Sequence, residues 1–145
     1  MSSTPVIKFS TNWNRKLENN LFSSFRVYNP AIHFIKNTFD IIPPPSCKHI
    51  QPFQAYLEYI KPVFLNEVDP LFAWIDTGYS LPEFTRIVLT MYSKQNTPVS
   101  SIQFAQLIFH RTDPRALNLP FHLTPYKVID SNSQFVIFND SKLNN

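Results

Sequence analysis

The stretch Trp74-Ile75-Asp76-Thr77-Gly78-Tyr79-Ser80-Leu81-Pro82-Glu83 holds the one glycine of a 145-residue chain. Average usage of about 7% would supply about ten glycines at this length. Turns elsewhere must therefore be built from Pro, Asn, Asp and Ser. Gly78 stands between two helical patterns. Upstream, Asp69-Pro70 reads as an N-cap followed by proline at the first helical position. A short helix through Trp74 then ends near Gly78, where glycine supplies a left-handed terminal residue. Downstream, Ser80 and Glu83 have the spacing of a capping box, each side chain satisfying a free amide of the other's backbone. Leu81, Phe84, Ile87, Val88 and Met91 follow as one apolar stripe that ends near Tyr92.

Short strands flank this helical pair. Leu21 to Tyr28 alternates, with Leu21, Ser23, Phe25 and Val27 on one face and Phe22, Ser24, Arg26 and Tyr28 on the other. Val6 to Ser10, Phe39 to Ile42 and Phe53 to Ile60 read as further strands, the last interrupted by Pro62. Asn12 to Asn20 is polar, with Trp13 and Leu17 spaced for a helical turn. Ile102 to Arg111 is a strong strand, and Tyr126 to Ile129 with Gln134 to Phe138 forms a hairpin around Asp130-Ser131-Asn132-Ser133. Six or seven strands and two or three short helices predict an α+β fold: a small, mostly antiparallel β-barrel with flanking helices. Residues 1–112 form that domain and 113–145 a C-terminal extension on it.

The composition supports a real core. Hydrophobic residues are 43% of the chain, including 14 phenylalanines, while 13 prolines disfavour long regular elements. A net charge of +3, spread without charge runs, neither demands nor excludes nucleic acid. Cys47 is alone, so no intrachain disulfide forms. Residues 1–10 lack the apolar stretch of a secretory leader, and no run of 18 apolar residues exists. The expected setting is the cytoplasm, with no membrane partner. His33, His49, His110 and His122 lack metal-ligand spacing, so no metal or other cofactor is expected. One glycine is too few for a phosphate-cradling loop or a nucleophile elbow.

Two places carry candidate chemistry. On strand 21–28, Arg26 beside Ser24 can fork two hydrogen bonds to phosphate or carboxylate, or serve as an ordinary strand-end charge. Asp76-Thr77-Gly78 offers Asp76 as a general base or as an acceptor for a nucleobase amino group, against the plain role of hydrogen-bonding turn amides. Retroviral-type aspartic proteases also carry Asp-Thr-Gly, but their flap requires glycines this chain lacks. Among Trp13, Tyr28, Trp74 and Tyr79, one or two are expected to be exposed for stacking on a base, Tyr79 foremost.

The order Trp13-Asn14-x-Lys16-Leu17, Phe22-x-x-x-Arg26, Asp76-Thr77-Gly78-Tyr79-Ser80, a helix ending Met91-Tyr92, and strand 102–111 resembles small bacterial and phage proteins of the ASCH/PUA-like superfamily. The resemblance covers roughly residues 6–111. It implies a compact antiparallel barrel whose helices flank a cleft that binds RNA or nucleotides. Some members hydrolyse modified nucleosides, and one amidohydrolase acting on acetylated cytidine uses a lysine, a threonine and a glutamate. Carried onto this chain, the threonine falls on Ser24, the acid near Asp76 or Thr77, and the lysine on Leu21. Lys16 replaces that lysine if it folds into the cleft. The resemblance therefore implies a cleft between strand 21–28 and loop 75–80. Arg26 and Lys16 would meet phosphate there, Tyr79 would stack, Thr77 and Trp13 would add contacts, and Ser24 with Asp76 would read polar groups or, in a hydrolase, react. A third expectation is a non-catalytic module that engages a protein partner through 113–145.

Overall fold

Five strands and two α-helices organise residues 3–113, the part of the chain described by a computed structural model. The C-terminal hairpin and the extension expected from the sequence lie outside the described residues. The strands are β1 (Val6–Lys8), β2 (Leu21–Val27), β3 (Thr38–Ile42), β4 (Phe53–Val63) and β5 (Phe104–Arg111). The helices are α1 (Pro70–Thr77) and α2 (Leu81–Met91). The sheet order is β1-β3-β4-β5-β2, antiparallel except for the parallel β1–β3 pair. It curls into a half-barrel, so the expected α+β, mostly antiparallel, barrel-like architecture is what the chain adopts.

Strand β5, between β4 and the edge strand β2, is buried on both faces. Ala105, Leu107 and Phe109 enter the concave core with Phe22, Phe39, Ile41 and Leu57. Phe104 points the other way, into a second core formed with Phe72, Phe84 and Val88 of the helices. Phe25 stacks on Phe104 at 4.7 Å and meets Phe84 edge-on at 5.1 Å, which seats the helical pair against β2. Burying so many aromatic rings on two faces of one strand is what allows five short strands to hold together.

Several local expectations resolve differently. Gly78 closes α1 at φ 83° and ψ 4°, as its left-handed role requires, and its N–H donates to Trp74 O at 2.7 Å. Ser80 occupies the N-cap of α2, but no side-chain cap bond forms. Glu83 turns instead to Arg86, one helical turn on, at 2.9 Å, because a guanidinium in reach outcompetes the amide for the carboxylate. Asp69 likewise caps α1 by position only. Its carboxylate takes Gln106 Nε2 at 3.0 Å and Lys61 Nζ at 3.1 Å. Pro62 does not break β4. The β3 pairing spans Phe53 to Tyr56, so the later part of β4 has a free edge on that side, where a missing N–H costs nothing.

Candidate functional site

Construction begins with a turn whose geometry the sequence did not announce. Asn14 and Arg15 sit at φ 59° and 54°, two consecutive left-handed residues inside the 3₁₀ segment Trp13–Glu18. Asparagine tolerates this conformation, whereas arginine takes it only where surrounding contacts impose it. Those contacts are present. Asn14 Nδ2 donates to Ile75 O at 3.1 Å and Trp74 O at 3.4 Å, satisfying carbonyls at the end of α1. Asn12 Oδ1 accepts the Leu17 N–H at 2.9 Å. The turn is thus tied to the last turn of α1, and it delivers Lys16 there.

Lys16 Nζ donates to Asp76 Oδ1 at 2.6 Å, and Ser23 Oγ donates to the same oxygen at 2.7 Å. Lys16 is 4% exposed and Asp76 5%. Burial pushes the Lys16 ammonium below its ordinary pKa, and the neighbouring Asp76 carboxylate opposes that shift. Asp76 Oδ2 takes no hydrogen bond from the described residues.

Arg26 lies on the edge strand β2. Its Nε donates to Ser24 Oγ at 3.0 Å, and its Nη2 donates to Lys8 O, on the opposite edge strand β1, at 3.0 Å. The guanidinium also lies over the Phe9 ring, 4.9 Å from its centroid. It therefore spans the seam that the curled sheet leaves open. Burial lowers its pKa, but a guanidinium keeps its charge.

A cleft of about 370 Å³ opens at this seam. Lys8 at the end of β1 and Phe9 just after it line one side, Trp13 and Lys16 line it from the 3₁₀ turn, and Ser24, Phe25 and Arg26 from β2. Asp76 and Thr77 line it from α1, and Phe84, Ile87, Val88, Met91 and Tyr92 from the α2 side. Its volume falls in the range of about 300–1,000 Å³ usual for small-molecule sites, and it pairs an apolar wall with a compact polar cluster. Three cations, Lys8, Lys16 and Arg26, face one acid, Asp76. Among the described residues, no group of three or more His, Cys, Asp or Glu is arranged to hold a metal ion, and no helix is long and apolar enough to cross a membrane.

Of the residues singled out from the sequence, Trp13, Lys16, Ser24, Arg26, Asp76 and Thr77 all line this cleft. Tyr79 is not among its lining residues. It packs edge-on against Trp13, ring centroids 5.7 Å apart, so of this pair Trp13 lines the cleft and Tyr79 supports it. The Thr77 hydroxyl donates to Ala73 O at 2.9 Å and accepts the Tyr79 N–H at 3.2 Å, a helix-end role. Tyr28 stacks on His33. Sequence reasoning missed Ser23 and Asn14. Alternation placed Ser23 opposite Ser24, but nothing local showed that α1 would cover that face.

The fold and cleft define a small α+β half-barrel with one polar, cation-rich pocket at its seam. No family model matches the chain, and no curated protein sequence matches it. Among solved structures, the crystal structure of protein EF3133 from Enterococcus faecalis V583, assigned to the family model DUF984, aligns with 82% of this chain and 86% of that one. The TM-score is 0.46 and the sequence identity 14%, a likeness too distant to carry functional weight.

Proposed function

We propose that the seam cleft binds a nucleotide, either free or as a unit of RNA. The observation that supports this most directly is the joint placement of Lys16, Arg26, Asp76 and Trp13 around one cavity of nucleotide size. A nucleotide needs a cationic place for phosphate, an aromatic or aliphatic face for the base, and polar groups for the base edge. Lys8 and Arg26 supply the first, and Trp13 with the Phe84–Met91 wall the second. Asp76 and Ser24 supply the third. Arg26 Nη1 takes part in none of the hydrogen bonds that hold the guanidinium in place, which leaves it for an anion.

Titration calorimetry of nucleoside monophosphates and RNA hexanucleotides, at several salt concentrations, tests the proposal. Arg26→Ala should weaken binding and flatten its salt dependence, because one phosphate contact is lost. Equal affinity and equal salt slope for wild type and variant would remove the reading.

A second reading, hydrolysis of a modified nucleoside, is favoured by one specific observation. Lys16 lies in the cleft, hydrogen-bonded to Asp76, with Ser24 lining the same cavity. A buried lysine of lowered pKa beside a hydroxyl is a combination that acyl-transfer chemistry uses.

A further inference from the structure

The two oxygens of Asp76 are not equivalent. Oδ1 accepts from Lys16 Nζ at 2.6 Å and from Ser23 Oγ at 2.7 Å, which fills its two lone-pair directions. Oδ2 takes nothing from the described residues. It is not sealed in either: among the described residues, Asn19 Nδ2 is the one fully buried side-chain nitrogen or oxygen left without a partner. Asp76 lines the cleft, and Oδ2 is its oxygen that takes no bond from the described residues.

A carboxylate accepts and cannot donate. Two donors arriving from different elements, the Lys16 ammonium and the Ser23 hydroxyl, fix its orientation. The other polar side chains of the cleft are of two kinds. Lys8, Lys16 and Arg26 only donate, and the hydroxyls of Ser10, Thr11, Ser24, Thr77 and Tyr92 can donate as well as accept. Among the described lining residues, Asp76 is the one acid, a single strong acceptor in a donor-rich pocket.

We infer that Asp76 Oδ2 is a specificity determinant that selects bases offering it an exocyclic amino group, adenine or cytosine type, and rejects those offering a carbonyl there, hypoxanthine or uracil type. This rests on the nucleotide reading of the cleft. An amino N–H completes the carboxylate's hydrogen bonding. A carbonyl oxygen in the same position meets a negative charge and leaves both acceptors unpaired, and sites built on a polar match reject such analogues strongly.

The test compares ligands that differ at that group alone, using the full-length wild-type chain. AMP is titrated against IMP, CMP against UMP, and an oligo(C) hexanucleotide against oligo(U). Amino-bearing ligands should bind at least about tenfold more tightly. Selectivity in the mononucleotides alone assigns the site to free nucleotides, and selectivity in the hexamers alone assigns it to RNA. Equal affinity within every pair, or a preference for IMP and UMP, overturns the selectivity while leaving nucleotide binding intact. Failure of all six to bind overturns the nucleotide reading itself. Asp76→Asn, checked for folding by circular dichroism, should reduce the preference to within about threefold, since its amide can turn a donor to the carbonyl. A preference that persists in the folded variant assigns selectivity to another group and refutes the role of Asp76.

Discussion

Replacing Asp76 with asparagine should destabilise the chain at neutral pH, and the loss should shrink as pH rises. The side chain keeps its shape and its acceptor for Ser23, so the change isolates the charge facing Lys16. Stranding one partner of a buried pair costs about 3–5 kcal/mol. A second limit applies, because the lysine can escape by losing its proton. With an ordinary lysine pKa of about 10.4, that escape costs about 1.36 kcal/mol for each pH unit below it, or about 4.6 kcal/mol at pH 7 and about 1.9 at pH 9. The expected loss is therefore about 3–4 kcal/mol at pH 7 and no more than about 2 kcal/mol at pH 9. The sign follows from proton linkage. In the variant the folded lysine has a pKa below its unfolded value, so the unfolded chain binds the extra proton between the two. Stability then rises with pH through that window and is lost as pH falls. Urea unfolding of wild type and variant at both pH values reads this directly. The double variant Lys16→Met with Asp76→Asn, which removes the stranded charge, should recover most of the loss. A deficit below about 1 kcal/mol at pH 7, or one that does not shrink by pH 9, refutes the premise that the pair is desolvated.

Two further outcomes are expected. If the second functional reading holds, a panel of acylated nucleosides is turned over and Asp76→Asn abolishes turnover; no turnover, or turnover that the substitution leaves unchanged, removes it. His33 is buried, its Nδ1 accepts the Asn29 N–H at 3.0 Å, and burial together with Arg26 lowers its pKa. An NMR titration of its ring should therefore find a midpoint below the ordinary value of about 6.5, with stability falling as pH drops below 6.5 toward that midpoint. A midpoint at or above 6.5 contradicts the buried placement.

Local rules were sufficient wherever the cause of a conformation is itself local. Alternation located β2, because a strand shows its two faces to different surroundings at every second residue, and β-branched and aromatic content located β5, which is buried on both faces. The apolar stripe located α2, although its last member, Met91, is exposed. Gly78 identified the end of α1, since a left-handed residue is cheap only for glycine. Capping was less legible. Ser80 and Glu83 have the right spacing, yet Arg86 takes the carboxylate, a competition between neighbours that a motif does not rank.

The Asp76 environment was legible in parts and not as a whole. Arg26, Ser24, Asp76, Lys16 and Trp13 were all identifiable by chemistry and by their order along the chain. Their contacts were not: Trp13 and Tyr79 were both expected at the cleft, and Tyr79 packs against Trp13 without lining it. Sequence alone determined the strands, the two helices, the glycine-closed bend and the supply of side chains, because each depends on contacts within a few residues. Only the tertiary structure decided that Asn14 would anchor the end of α1, that two left-handed residues would turn Lys16 inward, and that Ser23 would share its acceptor. Those contacts join residues more than fifty positions apart, where the hydrogen bonding and desolvation of a buried ion pair, rather than any neighbouring preference, set the geometry.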